Sequence, residues 1–286
     1  MTGADDDLEA DLPLPSPTVD ADCIAQRGAL ASRTTRCVPE ETAIALTFNG
    51  STHAVMMATP SDLEDFALGF SLTEGVIEDA SEIDSLEVIT TPLGVEVRVW
   101  LSEARGKVYV GRKRSMAGPT GCGLCGVESL EAAMRPLPHV TKPSWQFAPQ
   151  TIVTAMASLD PAQRLNDLTH AVHAAAFWTE AEGLVALRED VGRHNALDKL
   201  AGALVRAGRD ASAGLIIMTS RVSIELIQKA ARLNAPVLAA ISVPTAAAIR
   251  LADEAGMTLI GVARRQDFDI FTHPDKIASG TSRNVA

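Results

Sequence analysis

Apolar and polar positions follow two rhythms along this chain, and the change falls near residue 150. Before it, short alternating runs dominate. In "TAIALTFNGSTHAVMMAT", residues 42–59, two β-rich runs flank Asn49-Gly50, which predicts a hairpin. The next stretch, "TPSDLEDFALGFSLTEGVI", places Leu63, Phe66, Ala67 and Phe70 at helical spacing. Thr59 is positioned to cap that helix, Pro60 fits its first position, and Asp62 and Glu64 suit its first turn. "SLEVITTPLGVEVRVWL" alternates again and predicts a second hairpin. Residues 39–112 therefore read as a small α+β domain.

After residue 150, continuous apolar runs alternate with helical patterns. "GLVALRED", "AGLIIMTS", "APVLAAIS" and "MTLIGVAR" read as strands. "HNALDKLAGALVRAG", "SIELIQKAARLN" and "TAAAIRLADEAG" read as helices between them, and "FDIFTHP" as a last edge strand. That alternation predicts an α/β domain with a mostly parallel sheet over 151–282, its functional residues beyond the C-terminal strand ends. "THAVHAAAF", with His170 and His173, is placed on a helix. Residues 113–150, rich in proline, read as a loop and linker, and the acidic residues 1–38 as a disordered tail. No internal repeat is evident.

Composition narrows the function. The net charge of -11 argues against nucleic-acid or membrane-surface binding, which wants a basic field. An anionic small ligand needs only a local basic site. The N-terminal stretch lacks the basic and apolar regions of a signal peptide, and no apolar run is long enough to span a bilayer. The expected location is the cytoplasm, where thiols stay reduced.

Four cysteines occur, two of them in "GPTGCGLCGVESL", residues 118–130. A zinc site needs two more ligands than Cys122 and Cys125 supply, and His170 and His173 are a loose pair for that purpose. A zinc deaminase needs an upstream HxE or CxE, which is missing. A thioredoxin-like couple expects the pair at a helix start after a strand, but the upstream run is "GRKRS". Two buried structural thiols are disfavoured by the neighbouring Gly121, Gly123 and Gly126, which expose sulfur. A sulfur carrier uses the same features: lowering a thiol pKa from ~8.5 to ~6.5 raises its thiolate about 25-fold at pH 7. Arg112, Lys113 and Arg114 are placed to supply the field. Local sequence does not choose among the thiol chemistries.

Taken together, "TPSDLEDFALGFSLTEGVI", "GCGLCGVESL", "EDVGRHNALDKL", "SRVSIELIQKAAR" and "LADEAGMTLIGVARRQDFDIFTHPDKI" resemble the FdhD/NarQ family from about residue 40 onward. The resemblance implies a sulfurtransferase. It takes sulfur from a cysteine desulfurase as a cysteine persulfide and passes it to the molybdenum cofactor, bis-molybdopterin guanine dinucleotide, before insertion into formate dehydrogenase. It also implies a homodimer, a cytidine-deaminase-like larger domain without zinc, and GDP-like nucleotides as mimics of the cofactor. Cys122 maps onto the persulfide carrier and Cys125 onto the second thiol. The family's cofactor-binding segment maps onto Val262, Ala263, Arg264, Arg265, Gln266 and Asp267. Ser220, Val262 and Arg265 depart from the family pattern.

The residues themselves agree in part. Arg264 and Arg265 follow one predicted strand, while Arg193 with His194 and Arg221 follow two others, so four guanidiniums converge on one sheet edge. Asp190, Asn195 and Asp198 read equally as caps and an internal ion pair. His173 is a weak candidate for the cofactor cavity. The alternative reading is a non-catalytic chaperone that binds and delivers the cofactor.

Overall fold

The computed structural model describes residues 12–114 and 137–278. Two sheets carry the fold. The smaller one has the order β4-β3-β6-β5, built from β3 (Thr42–Phe48), β4 (Ser51–Ala58), β5 (Ile83–Thr91) and β6 (Gly94–Leu101). The β3–β4 connection is the expected Asn49-Gly50 turn, with φ of 48° and 75° at the two positions. Positive φ at both residues gives a hairpin whose twist matches its strands. One face of this sheet buries Ile44, Leu46, Phe48, Val95, Val97 and Val99 against α1 (Leu63–Thr73). After β6 the chain enters α2 (Glu103–Arg114).

The larger sheet has six strands in the order β12-β11-β10-β9-β7-β8. They are β7 (His173–Thr179), β8 (Gly183–Asp190), β9 (Leu215–Met218), β10 (Val237–Ala240), β11 (Thr258–Arg264) and β12 (Asp267–Thr272). Helices α5 (Arg193–Arg206), α6 (Ile224–Arg232) and α7 (Ala246–Glu254) cover one face, and α3 (Pro149–Ala157) covers the other. Burial on both faces explains the continuous apolar runs of β9 and β10. The short helix α4 (Arg164–Thr169) precedes β7.

Three expectations change. The sheet is mixed, not mostly parallel: only β9, β10 and β11 run parallel, while β7, β8 and β12 pair antiparallel. The sequence signature of crossovers is real for those three strands, but hairpins add strands at both edges. The "HAAAF" run is β7, not a helix; with the sheet covered on both faces, its alanines are buried on either side and leave no alternation to read. Residues 18–38, placed in a disordered tail, form with Pro39 an antiparallel ribbon of β1 (Thr18–Arg27) and β2 (Leu30–Pro39) around Gly28. Its mixed, exposed composition hid it.

The domains meet where α1 crosses α5. A Cβ on Gly69 would run into the Asp198 carbonyl, and one on Gly202 into the Asp65 carbonyl, so the two helix backbones touch at paired glycines. Ion pairs frame the crossing. Asp65, itself buried, accepts from Arg188 at 2.7 Å and from Arg206 at 2.9 Å. Lys229 reaches Asp198 at 3.0 Å and Glu74 at 2.7 Å, and Thr73 donates to Asp198 at 2.6 Å.

Candidate functional site

The mixed topology still delivers many chain ends to one sheet edge. The C-terminal ends of β9, β10 and β11 lie there because the three strands are parallel. β7 runs antiparallel to β9, so it begins at the same edge: the Thr219 N–H donates to the Ala174 carbonyl. β8 ends there too, with Asp190 opposite His173. The starts of α5, α6 and α7 follow directly, since each helix leaves from this edge.

The helix starts at this edge differ in how their backbone donors are met, and at α6 the Glu225 carboxylate accepts from its own N–H. Gly192 before α5 and Ser223 before α6 make no side-chain capping bond, whereas Thr245 accepts from the Ala248 N–H before α7. Unmatched N–H groups at a helix start attract anions. Arg193 stands in the first turn of α5. Its Nε is buried without a hydrogen-bond partner among the described residues. Arg221, exposed, follows β9. Burial lowers the His173 pKa, and Arg193 and Arg221 push it down further, which places both guanidiniums close to that ring. His194 is lowered to about 4, chiefly by burial and then by Arg193. Its Nε2 lies 3.5 Å from Ser223 Oγ and 4.0 Å from Glu225. Both imidazoles are therefore neutral at neutral pH, so the positive charge here belongs to the arginines.

The "VARRQD" segment forms the end of β11 and its hairpin to β12. Arg264 pairs with Asp267 across a two-residue turn of Arg265 and Gln266, and the ladder slips between Gly261 and Arg264. Val262 sits in that slip at φ 54°, and Arg265 in the turn at φ 57°. Left-handed backbone at a β-branched residue is costly and is kept where surrounding structure imposes it. The cause is visible. Gly261 passes so close to Pro244, Phe271 and Ser242 that a Cβ would not fit, and the Val262 N–H donates to the Ser242 carbonyl at 3.3 Å. Ala263 is buried, while Arg264, Arg265, Gln266 and Asp267 are exposed. Arg264 Nε donates to the Ile241 carbonyl at 3.0 Å, which lays its side chain over the end of β10.

The four guanidiniums thus share an edge but do not converge. Arg193 follows β8 and Arg264 ends β11, four strand spacings apart, or about 19 Å. Arg193, Arg221 and His173 make one group, and the β11–β12 hairpin makes another. Asp190, Asn195 and Asp198 point inward and are buried. Cys122 and Cys125 lie outside the described residues. Arg112, Lys113 and Arg114 end α2. His170 ends α4 with a left-handed backbone.

Sequence reasoning missed Ser223 and Glu225, which face His194, and Lys199, which faces Asp190. Two charges inside the apolar stretch "NALDKLAGAL" were the available signal for Lys199. Thr59 was expected to cap α1; instead its hydroxyl accepts from the Val191 N–H and helps hold the start of α5. A cavity of about 600 Å³, lined by Leu72, Ile77, Leu204 and Arg232 among others, lies at the other end of α5. None of the expected ligand residues lines it. Among the described residues, no helix is long and apolar enough to cross a membrane.

Known proteins resemble this chain in sequence and in fold. A sulfur carrier protein FdhD from Agrobacterium fabrum is 54% identical over 242 residues, covering 85% of this chain and 89% of that protein. One from Brucella abortus is 50% identical over 254 residues, covering 89% and 94%. The crystal structure of a protein described as a formate dehydrogenase accessory protein, from Desulfotalea psychrophila, superposes with a TM-score of 0.70 at 24% identity. It covers 93% of this chain and all of that one, and so shows the same α/β fold. With residues 39–278 matching the family as a whole, the chain belongs to the FdhD/NarQ family.

Proposed function

We propose that this protein is a sulfur carrier serving formate dehydrogenase. In this reading the Cys122 thiolate attacks the outer sulfur of a persulfide on a cysteine desulfurase. A new S–S bond forms on Cys122, and the donor cysteine leaves as a thiolate. The S–S bond on Cys122 then breaks, Cys122 leaves as a thiolate, and the outer sulfur passes to a molybdenum cofactor, bis-molybdopterin guanine dinucleotide, held as substrate at the sheet edge in a reduced form that supplies the two electrons. The curated relatives named sulfur carrier protein FdhD support the sulfur step.

The observation that carries the binding step is the buried Nε of Arg193, unpartnered among the described residues, at the start of α5, where Gly192 offers no side-chain cap. A buried guanidinium N–H without an acceptor is costly, and a phosphate oxygen at that point would satisfy it. The β11–β12 hairpin, with exposed Arg264 and Arg265, offers the far end of an elongated anion a second hold. An extended dinucleotide suits two basic groups spread along one edge better than a compact anion does.

Intact mass spectrometry after incubation with cysteine and a cysteine desulfurase tests the sulfur step. A gain of one sulfur, lost on reduction and absent from Cys122→Ala, is expected. Undiminished loading of Cys122→Ala would overturn the assignment of the sulfur to Cys122, and cofactor binding with full activation of formate dehydrogenase by a variant lacking both Cys122 and Cys125 would favour delivery by a non-catalytic chaperone.

A further inference from the structure

Arg193 opens a helix of the large domain, yet the turn before it is held from the small one. Thr59 follows β4, has no exposed surface, and directs all three of its polar groups onto β8, α5 and the turn between them. Its N–H donates to Asp190 Oδ2 at 3.0 Å, its hydroxyl accepts from the Val191 N–H at 3.1 Å, and its carbonyl accepts from Lys199 at 2.9 Å. A second tether lies beside it. Asn195 Nδ2 donates to the Met57 carbonyl and to Asp190 Oδ1, each at 2.9 Å. The turn is also tight, since a Cβ on Gly192 would stand 2.9 Å from Asn195 Nδ2.

These bonds decide which donors the turn leaves over. The Val191 and Gly192 N–H groups are taken by Thr59 and Asp190, and the Ala196 N–H by the Gly192 carbonyl. Between them lie the N–H groups of Arg193, His194 and Asn195, which belong to the first helical turn and have no intrahelical acceptor. The Arg193 Nε, buried and without an acceptor among the described residues, starts from the same turn. A guanidinium and neighbouring N–H groups serve one anion together only while their mutual geometry is kept, because hydrogen bonds weaken steeply with misalignment.

We infer that Thr59 is a positioning residue for anion binding. Without exposed surface it touches no ligand, and from the small domain it fixes the angle at which the large domain presents Arg193. A displacement of the small domain is thereby passed to the start of α5. The inference rests on the proposed anion site at Arg193.

Calorimetry with pyrophosphate at fixed ionic strength tests it, on variants whose folding is checked by circular dichroism. Thr59→Val keeps the shape of the side chain but removes the acceptor of the Val191 N–H. It should weaken binding roughly fivefold to tenfold, the size expected of a residue acting through another. Thr59→Ser restores the hydroxyl and should bind as wild type does, although it loses a methyl group. Asn195→Ala cuts the second tether and should weaken binding in the same direction, whether or not Thr59→Val folds. In an Arg193→Ala background, Thr59→Val should cost less, because less remains to be misplaced. Wild-type affinity in Thr59→Val or Asn195→Ala, equal weakness in Thr59→Ser, or equal losses in the two backgrounds overturns the positioning role while Arg193→Ala itself still weakens binding. Wild-type affinity in Arg193→Ala overturns the anion site, and the inference with it.

Discussion

Asp190 and Lys199 form an ion pair of 2.7 Å in which neither side chain has any exposed surface. The pair joins the two domains through Thr59. Asp190 accepts from the Thr59 N–H at 3.0 Å, and Lys199 donates to the Thr59 carbonyl at 2.9 Å. Asp190 also accepts from the Gly192 N–H and from Asn195, whose amide in turn donates to the Met57 carbonyl. The start of α5, where Arg193 sits, is thereby fixed to the end of β4. Removing one partner strands a buried charge, at a cost of about 3–5 kcal/mol. Lys199→Met should lose that much in urea denaturation. Asp190→Leu combined with Lys199→Met should recover part of it, because no lone charge remains. A single variant as stable as wild type would show the pair does not anchor this junction.

The glycine crossing makes a second prediction. Gly202→Ala puts a methyl group against the Asp65 carbonyl, where backbone rather than a flexible side chain must move. Overpacking of this kind costs roughly 1–3 kcal/mol, despite alanine's better helix propensity. Thermal unfolding should show a lowered Tm. An unchanged Tm would mean that α1 and α5 separate freely.

These two sites show how far the sequence could be read. Helices and strands after β7 follow their apolar runs, because burial on both sheet faces leaves a continuous signal from Leu215 to Met218 and from Val237 to Ala240. Strand direction is not written in such runs. β7 and β9 are both apolar throughout and yet antiparallel, and only the short turn from Thr179 to Gly183 makes β7 and β8 a hairpin. The clustering of Arg193 and Arg221 near His173 depends on that reversal, which brings the start of β7 beside the end of β9. Arg264 was legible as a strand-end residue, but its bond to the Ile241 carbonyl comes from the bulge at Val262, which only long-range packing produces.

His194 gives the molecule a pH response. Burial, then Arg193, lowers its pKa from 6.5 to about 4. The unfolded chain therefore binds a proton between pH 6.5 and 4 that the native state does not, so stability falls as pH falls through this window. Asp198 works the other way, because burial raises its pKa to about 6 and the native state gains a proton there first. The net slope mixes these with other shifted groups, among them His173 and Glu225, both lowered, but a comparison isolates the histidine. His194→Gln should match wild type above pH 7 in shape of its pH profile and lose less stability than wild type between pH 6.5 and 4.5, by roughly 2 kcal/mol at the acid end. Parallel profiles for the two proteins would show that His194 titrates normally in the fold.

The last prediction separates the two basic groups on the sheet edge. Arg193, at the start of α5 where the N-cap Gly192 offers no side chain, has a buried Nε without an acceptor among the described residues, and Arg193 and Arg221 both lower the His173 pKa. Arg264 has its Nε committed to the Ile241 carbonyl. Phosphate oxygens should therefore bind at Arg193 and Arg221. Each charge-assisted hydrogen bond contributes about 1.5–3 kcal/mol, so Arg193→Ala should weaken pyrophosphate and GDP alike by roughly one to two powers of ten. Arg221→Ala should do the same less severely, because its exposed guanidinium loses less to solvent on release. Arg264→Ala should leave pyrophosphate affinity unchanged. Calorimetry at fixed ionic strength on wild type and the three variants reads these affinities, and the salt must be held constant because screening weakens every exposed contact. If pyrophosphate binding falls with Arg264→Ala and survives Arg193→Ala, the phosphates sit at the β11–β12 hairpin instead, and the start of α5 serves no ligand.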